Sequence, residues 1–470
     1  MVIFTWLLLL FQGLEFVHCV HCNDDPGQPL FLTPYIESGK IDEARSLARV
    51  TFTENLNITS YSGFFTVNKQ YDSNQFVWYF PAFSTKKSLP VLVWLQGGPG
   101  ASSLAGLFLE NGPLRAKEDG TIEAREIHWA LNHHIIYIDN PVGTGFSFTN
   151  DSRGYCTDET QVGEQLYSTM IQFFKLFPEL QQNSFFVTGE SYAGKYVPAL
   201  AHTIHTRNPK ADLKINLKGV AIGNGLSDPI NQLTVYDKYL YQIGLIDDNG
   251  VKLFQECQNK AAEYMNNKQW IEAANVFDKL LDGDFSNGST TFSNLTGYHF
   301  YFNYLHTEDY LGNNYEKVIK KSSFRESVHV GSLRFNDGIE VEKHLKQDMM
   351  QSVAPWVSEL LDNYMVLLYS GQLDIIVAYP LTVNYLKKLN FSEKETYKNA
   401  PRRIWKVDNE VAGYVKHAIK GNHGLVEVLV RNAGHMVPTD QPKFAHQMIT
   451  RFTSKSSFET NVYKSNIHSL

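Results

Sequence analysis

Phe185-Phe-Val187 leads into Gly189-Glu-Ser191-Tyr-Ala193-Gly194, which leads into Tyr196-Val-Pro-Ala-Leu-Ala-His-Thr-Ile204. A short apolar run, a turn of small residues and a helical stretch follow one another. A serine in that setting sits on a strained strand-to-helix turn with its hydroxyl presented above a sheet. The usual pattern is G-x-S-x-G. Here Ala193 takes the last place and is small enough for the same close approach. Taken alone, the motif also fits an ordinary turn serine, so its surroundings decide the reading.

Working outward, bare apolar runs recur. Val91-Leu-Val-Trp-Leu95 ends in Gly97-Gly98-Pro99-Gly100, and Ile135-Ile-Tyr-Ile138 ends in Asp139-Asn140-Pro141. Val220-Ala-Ile222 is closed by Gly223-Asn-Gly225. Runs without a polar face suit strands covered on both sides, as in a parallel sheet. Between them, Val162, Leu166, Met170, Phe173, Phe174 and Phe177 fall at helical spacing, with Asp158 placed to cap and Pro178 to stop. This alternation predicts an α/β fold with a mostly parallel central sheet. After Asp228-Pro229 the pattern turns helical, and Gly283 to Gly297 reads as a loop. Strands resume at Tyr364–Tyr369 and Gly424–Val430. The predicted organisation is a first core part over 23–228, a helical cap insertion over 229–354 and a second core part over 355–470.

A serine hydroxyl needs a base, and the base needs an orienting carboxylate. On this fold the chain order is serine, acid, histidine, each after a strand. Asp374, in Ser370-Gly-Gln-Leu-Asp374, and His435, in Arg431-Asn-Ala-Gly-His435, satisfy that order. The amide of Tyr192, next after the nucleophile, is one candidate oxyanion donor. The Gly97-Gly98 turn can supply the other.

A formal net charge of −7 over 470 residues leaves no basic surplus for a nucleic-acid partner. The mostly apolar stretch Val2 to Val17 reads as a secretory signal within 1–22, with an uncleaved anchor as the other reading. No further segment is long and apolar enough to span a bilayer. The expected location is the secretory pathway, either the extracellular fluid or a lysosome-like compartment. Once the signal is removed, Cys156 and Cys257 remain, as a disulfide or as two free thiols. Asn57, Asn150, Asn287, Asn294 and Asn390 stand in glycosylation sequons.

With these residues in place, the chain resembles the serine carboxypeptidase family. The likeness runs through Trp94–Gly100, Leu104–Pro113, Tyr137–Ser147, Gly189–Pro198, Gly223–Gly225, Tyr369–Val377 and Asn432–Pro442. It implies an α/β-hydrolase core with a helical cap, a triad of Ser191, Asp374 and His435, and an oxyanion hole from Gly98 and Tyr192. It also implies that Gln96, Gly97, Glu110 and Glu190 hold the C-terminal carboxylate of a peptide or protein substrate. Gln96 stands where the family more often has Asn. Ala101 and Val377 stand where some members carry cysteine. Crowding of Glu110, Glu190 and the substrate carboxylate predicts at least one raised pKa and better activity at acidic pH. The implied reaction needs no metal or organic cofactor. Transfer of the acyl group to another acceptor, and a binding protein without turnover, are the alternative readings of the same residues.

Overall fold

The computed structural model describes residues 25–86, 88–284 and 289–458. The expected signal segment 1–22 and the sequon at Asn287 lie outside the described residues. Ten strands form one continuous path: β1 (Tyr61–Asn68), β2 (Ser73–Phe80), β3 (Val91–Leu95), β4 (His134–Ile138), β5 (Phe185–Glu190), β6 (Leu217–Gly223), β7 (Met365–Gly371), β8 (Arg403–Val407), β9 (Glu410–Lys420) and β10 (His423–Val430). Their spatial order is β1-β2-β4-β3-β5-β6-β7-β10-β9-β8, and Phe148–Thr149 adds a short strand beside β2.

The six central strands, from β4 to β10, are all parallel. They are the apolar runs of the sequence, and every residue of β3, β5 and β7 is buried. The flanking strands are antiparallel, and the sequence reading assigns none of them, although β2 holds the bare apolar run Phe76–Phe80. Ser73, Asn74 and Gln75 interrupt the apolar pattern but are buried because each finds a polar partner, as Gln75 does with Thr169 at 2.6 Å.

Helices cover both faces. α1 (Glu159–Leu176) has the expected apolar face, and the Asp158 carboxylate accepts from the Gln161 amide at 2.9 Å. α2 (Ala193–Arg207) starts directly behind Ser191. Between β6 and β7 the chain is mainly helical, including α3 (Asp248–Asn266), α4 (Trp270–Phe277) and α5 (Ile339–Met349). Leu240, Phe254, Ala273 and Leu345 share one apolar cluster with Val187 and Ile222 of the sheet, so these helices have no separate core. The expected loop over 283–297 is in part a helix. Thr291–Thr296 is helical, capped by Thr290 at its start and by Gly297 at φ 73° at its end.

Cys156 and Cys257 are both free thiols, which removes the disulfide alternative. Cys156 is enclosed in the core before α1, where burial raises its pKa, and Cys257 lies half-buried on α3. The described sequon residues Asn57, Asn150, Asn294 and Asn390 are exposed.

Candidate active site

Parallel register brings the site together. Leu95 pairs with Gly189, Glu190 with Gly223, Gly223 with Tyr369, and Gly371 with Val430. The C-terminal ends of β3, β5, β6, β7 and β10 therefore lie side by side. The residues that follow them, Gln96, Ser191, Asn224, Asp374 and His435, reach one end of the sheet, where open α/β folds place their ligands.

Ser191 has φ 63°, the left-handed conformation that a β-carbon disfavours. Its backbone is fixed on both sides. Its N–H donates to the Gly223 carbonyl at 3.0 Å, and its carbonyl accepts from Gly194 at 2.9 Å and Leu226 at 3.0 Å. Such strain persists only where the surroundings over-determine it. Ala193 fits this turn because Gly189 faces it; a β-carbon on Gly189 would stand 2.8 Å from that of Ala193.

Asp374 and His435 are both buried, and Asp374 Oδ2 lies 2.9 Å from His435 Nδ1. Asn224 Nδ2 donates to the same oxygen at 2.6 Å, and the Val377 amide donates to both carboxylate oxygens at 3.3–3.4 Å. The ring of Phe302 stacks on the imidazole at 4.7 Å, and the Phe302 carbonyl accepts from the His435 amide at 2.6 Å. His435 Nε2 is buried with no hydrogen-bond partner. It borders a cavity of about 300 Å³ that Ser191, Gly98 and Tyr192 also line. Among the described residues the amides of Gly98 and Tyr192 donate to no other group. Gly97 lies so close to the elbow that a β-carbon on it would stand 2.6 Å from the Tyr192 nitrogen.

A second group adjoins the serine. Gln96 Nε2 donates to Glu190 Oε1 at 3.2 Å, while Gln96 Oε1 accepts from the Trp94 indole at 2.9 Å. Both carboxyls are fully buried; Glu190 lines the cavity and Glu110 is not among its lining residues. Neither oxygen of Glu110 nor Oε2 of Glu190 finds a donor. Two ionised carboxylates can only accept; a single proton turns their contact into a hydrogen bond. Burial pushes the Glu110 carboxyl up to about 7, against the opposing influence of the neighbouring Glu190 and Gln96 side chains and of the nearby His435 and Arg125 charges. Glu190 is raised further, first by burial and then by the charge of Glu110. Mutual repulsion, the cause expected from the sequence, thus contributes at Glu190, but desolvation is the larger cause at both carboxyls.

The model of the serine carboxypeptidase family matches residues 51–455. The chain belongs to the serine carboxypeptidase family. It is 54% identical over 439 residues to a venom serine carboxypeptidase of Apis mellifera, with 93% of each chain covered. It is 49% identical to a probable serine carboxypeptidase of Homo sapiens, covering 94% of this chain and 93% of that one. With a vitellogenic carboxypeptidase of Aedes aegypti the identity is 48%, over 92% and 91% of the two chains. Among solved structures it is similar to a prohormone-processing carboxypeptidase of Saccharomyces cerevisiae, with a TM-score of 0.74 and 23% identity. That alignment covers 87% of this chain and 96% of the other. The core of the carboxypeptidase is accordingly an α/β-hydrolase fold.

Two contributors escaped the sequence reading. Asn224 is visible there only as part of a Gly-Asn-Gly turn after β6, a setting that marks a functional loop without saying what the side chain holds. Phe302 lies in an irregular segment between Thr296 and Tyr315 that carries no helix or strand among the described residues, so no periodic signal announces it.

Proposed function

We propose that this serine carboxypeptidase cleaves the last peptide bond through an acyl-enzyme on Ser191, with His435 as the base and Asp374 as its orienting partner. His435 Nε2 takes the Ser191 proton as Oγ attacks the carbonyl carbon. The amides of Gly98 and Tyr192 stabilise the oxyanion. Asp374 keeps Nδ1 as the hydrogen-bond donor and stabilises the imidazolium. The same proton then passes to the leaving amino group, the C–N bond breaks and a free amino acid departs. Water repeats the sequence and releases the shortened peptide.

The C-terminal carboxylate of the substrate lies against Glu190, Gln96 and Gly97. Glu110 acts from behind, as the neighbour that shares a proton with Glu190. A protonated Glu190 donates to the substrate carboxylate; an ionised one repels it. Acidic conditions therefore favour binding.

The observation that carries this reading is the shared cavity. A strained serine, a buried His435–Asp374 pair with an unpartnered Nε2, and an unpartnered Glu190 oxygen all border it. Labelling by a serine-directed phosphonate tests it, together with release of the free C-terminal amino acid from a blocked dipeptide. Both are expected at acidic pH in the wild type and both are expected to vanish in Ser191→Ala. Labelling that survives in Ser191→Ala overturns the assignment. The apolar N-terminal stretch and the exposed sequons support entry into the secretory pathway.

A further inference from the structure

The loops that carry Asp374 and His435 have left the sheet, so their backbone groups need partners from elsewhere. Many come from the insertion between β6 and β7. The Tyr301 carbonyl accepts from the amides of Ile375 and Ile376 at 3.1 and 3.3 Å, and the Tyr304 amide donates to the Leu373 carbonyl at 3.0 Å. The Tyr239 hydroxyl donates to the Asp374 carbonyl at 2.8 Å. On the other loop the Phe302 carbonyl accepts from the His435 amide at 2.6 Å. The two loops also meet directly, through the Leu373 amide on the Ala433 carbonyl at 2.8 Å. Residues 301–304 therefore lie as a strap across both loops.

The strap belongs to the irregular segment between Thr296 and Tyr315, so no helix or strand of its own keeps it in place. Asp440 does so from the far side. It ends the short helix Val437–Asp440 that follows His435, and it is not among the residues that line the cavity. Its Oδ2 accepts from the Gly434 amide at 2.6 Å and from Asn303 Nδ2 at 3.1 Å, and its Oδ1 accepts from the Tyr310 hydroxyl at 2.5 Å. One carboxylate thus joins the residue before His435 to the residue after Phe302. The buried Asn303 side chain is fixed from its other end too, because its Oδ1 accepts from the Leu305 amide at 3.1 Å. Strap and loop are in direct contact: a β-carbon on Gly434 would stand 2.2 Å from the Phe302 carbonyl oxygen and 2.8 Å from the Asn303 β-carbon.

We infer that Asp440 is a positioning residue for the reaction: by gathering Gly434, Asn303 and Tyr310 it seats residues 301–304 on the two loops, and through Phe302 it fixes the plane of the His435 ring. This rests on the reading of His435 as the base. The hydrogen bond from Nδ1 to Asp374 holds the imidazole at one point. Rotation about that point carries Nε2 away from Ser191 while the bond survives. The Phe302 ring, 4.7 Å away and inclined by 22°, opposes that rotation. A displacement of about 1 Å at a reacting atom costs about 100-fold in rate. Hydrogen bonds to an ionised acceptor suit an anchor, because they are short and stronger than neutral ones.

The test compares the wild type with Asp440→Ala and Asp440→Asn on a blocked dipeptide at acidic pH. The kcat is taken per site labelled by the serine-directed phosphonate at completion, so inactive protein drops out. Asp440→Ala is expected to lower this kcat by about 10- to 100-fold, with KM within about twofold of the wild type. Asp440→Asn is expected to stay within about threefold of the wild type. Its amide oxygen still accepts from Gly434 and Asn303, and the Tyr310 hydroxyl can turn to accept from the new amide group. The low-field proton resonance of the His435–Asp374 hydrogen bond is expected to be sharp in the wild type and Asp440→Asn and to broaden in Asp440→Ala. A wild-type kcat per labelled site in Asp440→Ala, with only a lower melting temperature, overturns the proposal. So does a loss in Asp440→Asn as large as in Asp440→Ala, which assigns the effect to charge, and so does a change confined to KM. If Asp440→Ala does not fold, Tyr310→Phe carries the test. Removing this one donor is expected to lower kcat by about threefold or more at unchanged KM, and an unchanged kcat overturns the proposal. Failure of the underlying reading looks different: the wild type itself neither takes the phosphonate nor hydrolyses the dipeptide.

Discussion

The two halves of the site meet at adjacent residues, Ser191 and Glu190, yet they handle buried charge in opposite ways. Around His435 the carboxylate is saturated with donors. Asp374 receives the His435 ring, Asn224 and the Val377 amide. Around Glu190 the carboxyls are starved of donors: the Gln96 amide reaches one oxygen of Glu190, while Oε2 of Glu190 and both oxygens of Glu110 have none. The first arrangement fixes the carboxylate that orients an imidazole. The second keeps a proton in place to greet an anion. At Glu110 and Glu190 burial is the larger cause of the retained proton, and the scarcity of donors leaves it unopposed.

The largest break in this comparison is Ser191→Ala. It is expected to lower kcat by at least about 10,000-fold, because triad members act as a unit. The binding of a peptide with a free C-terminus, measured by calorimetry at acidic pH, is expected to persist because the donor-poor half is untouched. Loss of binding along with turnover would show that the halves are not separable. Next in size is Asn224→Ala. It removes a 2.6 Å hydrogen bond from a buried carboxylate, worth about 1.5–3 kcal/mol. The expected outcome is a fall in kcat of about 10- to 100-fold with little change in KM. A change confined to KM would place Asn224 in substrate binding instead.

Much of the donor-rich half is legible in the sequence. Ser191, Asp374 and His435 each follow an apolar run, and parallel pairing of bare runs leaves their C-terminal ends together. What stays hidden is whatever lacks a local pattern. Asn224 adopts φ 42° in its turn, and nothing in Gly-Asn-Gly points the side chain at residue 374. Phe302 reaches His435 from an irregular segment of the insertion. The antiparallel strands β1, β8 and β9 escape because mixed burial blurs their periodicity, whereas in β2 the run Phe76–Phe80 is legible and only its polar start, Ser73-Asn-Gln75, is hidden. On the donor-poor half, family resemblance singles out Gln96, Glu110 and Glu190. It does not reveal that Glu110 adjoins Glu190 without being among the residues that line the cavity.

Smaller again is the effect of replacing the proton store. In the wild type, KM for a blocked dipeptide is expected to rise about tenfold from about pH 5 to 8, as the pair begins to ionise at about 7. In Glu110→Gln, Glu190→Gln the amides cannot ionise, so KM is expected to be nearly flat over that range. An equal rise in the variant would place the pH dependence elsewhere. Stability checks the same protons. An acid whose folded pKa is raised contributes a stability that is full below the unfolded value, about 4.5. Between there and about 7 the unfolded chain ionises while the folded chain does not, and stability falls as pH rises. The melting temperature of the wild type is expected to carry this slope, and that of the double variant to lose it.

The smallest expected effect tests how finely the donor-poor half is set. Gln96 bridges the Trp94 indole at 2.9 Å and Glu190 at 3.2 Å. Gln96→Asn keeps the amide and shortens the side chain by one methylene, so it can hold one partner at full strength but not both. If it keeps Trp94, Glu190 loses the Gln96 donor, and the protonated form is favoured further. If it keeps Glu190, a buried indole N–H is left unpaired at a cost of about 1–3 kcal/mol. Either way the chemistry at Ser191 is untouched. The expected result is a KM rise of about three- to tenfold at unchanged kcat. The direction of the pH shift then tells which partner was kept: a KM rise displaced to higher pH means Trp94 held the amide, and an undisplaced one with a lower melting temperature means Glu190 did.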